Sequence, residues 1–141
     1  MICMKGNSIY AQDLNNHQWQ NRIILILIDD EKNDTYKKQL IEFKKESTGL
    51  KERKLIVYHI KPNALKKGLN NNIWKKTKTK HKDYKKTNAS FEILLIGLDG
   101  GIKLQQEDLL TCQALFSLID VMPMRVNELK KPKAFCMSSS N

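Results

Sequence analysis

Three cysteines, three histidines, a loop of acids and a run of lysines are the residues of this chain that could do chemistry. Cys3, Cys112 and Cys136 make no CxxC and no metal-ligand spacing, and an odd, widely spaced set is not a disulfide framework. Thiol catalysis needs an exposed thiolate with a lowered pKa, which a helix N-terminus favours. Cys112 has such a place, directly after Thr111, a natural N-cap. It also opens an apolar stripe with Leu115, Phe116 and Ile119, so a buried, inert cysteine is the stronger reading. Asp29, Asp30, Glu31 and Asp34 could offer oxygens to a hard cation such as calcium, but they lack the spacing of a calcium loop. A solvated turn that caps the next helix is favoured there, and no metal site is expected. His17, His59 and His81 are scattered, with no Ser or Cys partner in view, so no catalytic triad and no cofactor is expected either.

The lysine run is the most distinctive polar feature. Lys66 to Lys86 hold nine lysines, His81 and a single acid, Asp83, with Trp74 and Tyr84 among them. Basic residues with interleaved aromatics can be a nucleic-acid footprint, with rings stacking on bases. Two aromatics over this span are few. A solvated insertion tethered to the core by Trp74 is favoured, and nucleic acid is disfavoured. The whole chain has 25 basic and 15 acidic residues, a net charge of +10. Only Arg22, Arg53 and Arg125 are arginine; lysine, asparagine and isoleucine are all abundant, so overall composition accounts for much of the excess. What remains suits an anionic partner, whether a surface, a polysaccharide or an acidic protein patch. Lys75, Lys76, Lys78 and Lys80 are the candidate basic surface.

Elements must position these groups, and 141 residues suffice for one domain. No apolar run reaches the ~18 residues of a membrane span. Asn21 to Asp29 reads as strand one, apolar on both faces from Ile23 to Ile28, as a central strand should be. Helix one starts near Asn33 or Asp34 and carries Tyr36, Leu40 and Phe43 at helical spacing, with Ile41 alongside; Gly49 weakens or ends it. Lys54 to Ile60 is strand two, parallel to strand one, and Pro62 stops it. Residues 63–90 read as short helical turns joined by a mobile loop. Phe91 to Gly97 and Gly101 to Leu104 are a hairpin, with Asp99-Gly100 as a two-residue turn. The Cys112 helix follows and stops at Pro123. A βαβ unit followed by a ββα unit is the core of the thioredoxin fold. The expected class is therefore α/β, a thioredoxin-like three-layer fold with a mixed central sheet, strand one beside strand three and strand four at an edge. Residues 13–129 form the domain, with the Lys-rich insertion near 63–90 and a flexible tail over 130–141. Residues 1–12 are a disordered start or the remnant of a signal peptide, with Ala11 just before a cut.

Three motifs resemble a known family. His17-Gln18-Trp19-Gln20-Asn21-Arg22 is similar to the W-x-N-R opening of the DUDES family. Leu95 to Lys103, with Gly97, Asp99, Gly100 and Gly101, is similar to its L-I-G-x-D-G-G-x-K hairpin. Ile119-Asp120-Val121-Met122-Pro123-Met124-Arg125, with Glu128-Leu129, is similar to its I-D-x-M-P-M-R-x-x-E-M end. The resemblance covers about residues 13–129 and fails mainly in the Lys-rich middle. It implies a bacterial domain of unknown function, related to domains in secreted sushi-repeat proteins and equarin, with a thioredoxin-like fold nearest to peroxiredoxins. It also implies export to the periplasm or outside; a true start at Met1 would mean the cytoplasm. It supplies no reaction.

The fold's redox cysteine would lie just after strand one, where Asp29, Asp30, Glu31 and Asp34 stand instead. Carboxylates there would raise a thiol's pKa. Thr87-Asn88-Ala89-Ser90 replaces the fold's cis-proline before strand three. The expectation is a non-catalytic binding or interaction domain; the alternative is a thiol oxidoreductase or peroxiredoxin-like enzyme working through Cys112. Trp19, Asn21, Arg22, Asp120, Met122, Met124 and Arg125 are more than a generic core demands. An ion pair of Arg22 or Arg125 with Asp120 would give them a structural role.

Overall fold

Strand β1, Arg22–Ile28, is buried along its whole length, as a seven-residue run of one buried Arg and six Ile or Leu requires. A strand so apolar on both faces is stable only between two others. It pairs in parallel with β2, Leu55–Lys61, and antiparallel with β5, Phe91–Ile96. The computed structural model describes residues 17–70, 72–77 and 81–130. Among them the sheet has six strands in the order β4-β3-β2-β1-β5-β6, with β3 at Ala64–Lys67, β4 at Lys75–Lys76 on one edge and β6 at Ile102–Gln106 on the other. This is a mixed α/β architecture of the thioredoxin-like kind, and strand one does lie beside the 91–96 strand. The chain forms two compact units, one ending at Leu110 and one beginning at Thr111. Among the described residues no helix is long and apolar enough to cross a membrane.

Helix α1, Asp34–Lys45, begins at Asn33, whose side chain accepts from the Tyr36 N–H. Its buried residues are Tyr36, Gln39 and Phe43, while Ile41 is exposed. Gln39 binds both the N–H and the C=O of Leu110 at 2.7 Å, filling two backbone valences that would otherwise be buried unpaired. Gly49 does not stop the helical path; it lies inside a short second helix, α2, Ser47–Glu52.

Residues 63–90 differ from the expectation of helical turns. After β2 the chain reverses at Pro62-Asn63 into β3, Ala64–Lys67, and then adds β4, Lys75–Lys76. The proline fixes its own φ and Asn63 takes φ 70°, a residue pair that suits a tight turn. Pro62 therefore ends β2 by turning it into a hairpin. The only helix among the described residues of this segment is α3, His81–Tyr84.

The second hairpin is also re-drawn. The Gly97 and Gly100 N–H groups bind Gly101 O and Gly97 O at 2.9 and 3.0 Å, so the loop is three residues, Leu98-Asp99-Gly100. Gly100 takes φ 85°, the left-handed last position of such a loop.

In the second unit, Thr111 caps α4, Cys112–Asp120, by accepting from the Ala114 N–H. Pro123 does not merely stop that helix. It is the first residue of α5, Pro123–Lys130, where its missing N–H costs nothing.

Candidate functional site at the end of the central strand

The C-terminal end of β1 gathers most of the charged chemistry. The three acids after it diverge instead of converging. Asp29 Oδ1 faces His81 Nε2 at 3.2 Å, Asp30 caps the Lys32 N–H, and Glu31 binds Lys61 Nζ at 2.8 Å and accepts from Trp74 Nε1 at 3.2 Å. Each carboxylate has a separate structural task. Among the described residues no three His, Cys, Asp or Glu side chains converge on a common point.

A cleft of about 470 Å³ opens beside Asp29, lined by His81, Lys82, Lys85, Lys86, Thr87 and Asn88. Its wall is set by one buried acid. Glu92, on β5, accepts from the Lys86 N–H at 3.1 Å and from Gln105 Nε2 at 2.8 Å, and lies 3.8 Å from Lys85 Nζ. Lys85 also donates to Ala89 O. These bonds pin residues 85–89 and leave the Lys82 and Lys86 side chains exposed at the rim. His81 is buried, and its Nε2 is close to Asp29 but not aligned for a hydrogen bond. Burial, helped by the Lys85 charge, holds His81 below the ordinary histidine pKa, so the lysines supply the positive charge of the cleft.

Next to this cleft, on the face of the sheet that carries α1, lies a second polar cluster. His59 is fully buried; its Nε2–H donates to Gly68 O at 2.7 Å, and its Nδ1 accepts from the Tyr36 hydroxyl at 2.9 Å. Burial pushes His59 down to about 4 and Tyr36 up to about 12, so both stay neutral across the physiological range. Trp74 meets the His59 ring edge-on and lies under two ammonium groups, Lys61 at 4.3 Å and Lys66 at 4.8 Å from the ring centroid. Trp74 thus ties the Lys-rich segment down through cation–π contacts and its bond to Glu31. Of the candidate basic surface, Lys75 and Lys76 are exposed on β4. Lys78 and Lys80 lie outside the described residues.

Two of the three family-like motifs gather at the opposite end of β1. Trp19 N–H binds Leu98 O at 2.6 Å, Gln18 Nε2 donates to Asp99 O at 3.0 Å, and His17 bridges Asn21 and the Tyr58 hydroxyl at 3.0 and 2.7 Å. Arg22 is buried and donates to Arg53 O at 2.9 Å. In the hairpin, Asp99 accepts from the Gly101 N–H and pairs with Lys103 at 3.0 Å; these bonds, the backbone one first, hold its carboxyl below the usual range. A Cβ on Gly97 would come 2.6 Å from Lys103 Cε, so the glycine makes room for that lysine. Trp19, Asn21, Arg22, Gly97, Asp99, Gly100 and Gly101 are therefore brought to one end of the sheet.

The third motif belongs to the second unit. Arg125 is buried there and binds Asp120 and Glu128, each at 3.3 Å. The Arg125–Asp120 pair is one of the two considered from the sequence, and it links α4 to α5. Met122 lies in the turn before Pro123, and Met124 is exposed on α5. Cys112 is a free, buried thiol at the start of α4. Cys3 and Cys136 lie outside the described residues, as does Ala11.

Sequence reasoning missed His59, Tyr36, Lys66 and Glu92 as site residues. One signal was available: His59 and Glu92 are polar residues inside otherwise apolar strand runs, and such groups must find partners.

Residues 13–128 match the family described as "Domain of unknown function (DUF4174)". No curated protein matches the chain, and no solved structure does.

Proposed function

We propose that this chain, which belongs to the DUF4174 family, is a non-catalytic binding domain that receives an anionic group at the C-terminal end of β1. The observation that carries the reading is the cleft beside Asp29, with Lys82 and Lys86 at its rim, Lys85 held behind them and a buried, unaligned His81 nitrogen in its wall. Sulfate or carboxylate groups on a polysaccharide, or an acidic patch of an envelope component or protein, have the matching chemistry. Lysine point charges give salt-sensitive attraction with little geometric selectivity. Lys75 and Lys76 extend the same positive field along the sheet edge. The acids that replace a thiol after β1, and the burial of Cys112, support binding over thiol chemistry.

Elution from heparin by stepped salt tests the proposal. Replacing Lys82 and Lys86 together with Gln should move elution to clearly lower salt, and replacing Lys75, Lys76, Lys78 and Lys80 should move it less. An unchanged elution of the Lys82/Lys86 variant would reject the cleft. The resemblance to DUDES-type domains adds export to the periplasm or outside. Fractionation of cells making the protein from its natural upstream sequence tests that; recovery with the cytoplasm would count against it.

A further inference from the structure

Lys66 is the basic residue whose surroundings the anion cleft leaves unexplained. It faces His59 across the β2–β3 ladder, and the residue is only 8 % exposed. A lysine so enclosed ordinarily has an acid or a carbonyl at its amine. Here, among the described residues, the amine has neither: it lies 4.8 Å from the Trp74 ring centroid and 6.0 Å from that of Tyr36. The groups around it are already committed. Glu31 is held by Lys61 and the Trp74 N–H, and both nitrogens of His59 are occupied by Gly68 O and the Tyr36 hydroxyl. Unlike His81 Nε2, the amine is not among the described side-chain nitrogens that are both sealed and unbonded.

We propose that Lys66 is a nucleophilic amine that captures a small carbonyl compound, an aldehyde or 2-oxo acid, as an imine beside the Trp74 and Tyr36 rings. Two opposing effects act on its proton. Burial, with the charges of Lys44 and Lys61, lowers its pKa from the ordinary lysine value, while the Glu31 charge works the other way. The ring faces also favour the ammonium. Lysines used in imine chemistry are activated by desolvation or by a cationic neighbour, and this one has both. In the step itself, the lone pair of Nζ attacks the carbonyl carbon and forms a C–N bond as the C=O π pair moves onto oxygen. That oxygen takes a proton and the nitrogen loses one, giving the carbinolamine. The hydroxyl then departs with a further proton as water, and the nitrogen lone pair forms the C=N bond. Solvent water accepts and returns these protons.

The inference does not rest on the anion cleft, and its test keeps the two apart. The full chain is treated with limiting glyoxylate and cyanoborohydride, which delivers hydride to the imine carbon and fixes it as a secondary amine. Peptide mass spectrometry then ranks the lysines by initial rate. At pH 7 Lys66 should react several-fold faster than Lys75 and Lys76, and this preference should shrink toward pH 10.5, where ordinary lysines also lose their protons. The Lys82→Gln/Lys86→Gln variant should leave the Lys66 rate unchanged. A Lys66 rate equal to or below that of Lys75 at pH 7 overturns the proposal. So does a preference that persists undiminished at pH 10.5, since accessibility alone would then explain it.

Discussion

The two ends of β1 are built from different materials. At the N-terminal end, residues 17–22 are joined to the 97–103 hairpin and to Lys54 by bonds that all end on backbone carbonyls: Trp19 N–H to Leu98 O, the Gln18 side chain to Asp99 O, Arg22 N–H to Lys54 O. At the C-terminal end the joints are side chains, mostly charged or aromatic: Glu31 with Lys61 and Trp74, Asp29 beside His81, Glu92 behind Lys85. Backbone bonding fixes a shape that tolerates few residue types. Charged side chains fix a field and leave it open to exchange with a ligand's charges. On the proposed reading, the motif end serves architecture and the lysine end serves binding.

The largest expected effect lies in the buried His59 of the lysine end. Unfolded, it titrates near 6.5; folded, near 4. Between those pH values the unfolded chain carries the extra proton, so stability falls as pH drops from 6.5 to 4, by roughly 3 kcal/mol from this group alone. Above pH 7 it contributes no pH dependence. Urea denaturation at pH 7 and pH 4.5 should show the loss, and a His59→Gln variant should show much less of it. An equal pH slope in both proteins would remove His59 from the account.

At the motif end, a smaller effect distinguishes strain from packing. Trp19 is 60 % exposed and holds φ 70°, a left-handed conformation that bulky residues rarely adopt. Trp19→Gly should therefore be more stable than Trp19→Ala by about 1 kcal/mol, despite the entropy of glycine. The reverse order would mean that no strain is stored there. Gly100→Ala, at φ 85° and with Gln18 3.3 Å from the new Cβ, should cost about 1 kcal/mol in the same assay. Smallest of all is the exposed Lys103–Asp99 pair. Lys103→Met should change stability by less than about 0.5 kcal/mol.

The hydrophobic pattern made the frame legible. Six apolar residues from Ile23 to Ile28 marked a central strand, and Asn33 and Thr111 marked helix starts that the structure keeps. The Lys-rich middle was not legible, because β3 and β4 are short edge strands. Their pairing is decided by the Pro62-Asn63 turn and by Trp74 packing, not by a periodic apolar run. Leu65 is the sole apolar residue of β3 that is buried. The site was legible only as charge. That Lys82 and Lys86 line a cleft depends on Glu92, six residues beyond Lys86 and inside a strand, accepting from the Lys86 N–H. Composition cannot show such a contact.

Amide chemical shifts followed during titration with a short heparin oligosaccharide test most directly the claim that the two ends divide architecture from binding. The account predicts salt-sensitive shifts concentrated at Asp29 and residues 81–88, with Trp19, Asp99 and Gly100 unmoved. Shifts centred on the hairpin and residues 17–22, with the 81–88 amides silent, would contradict it and make the motif end the binding end.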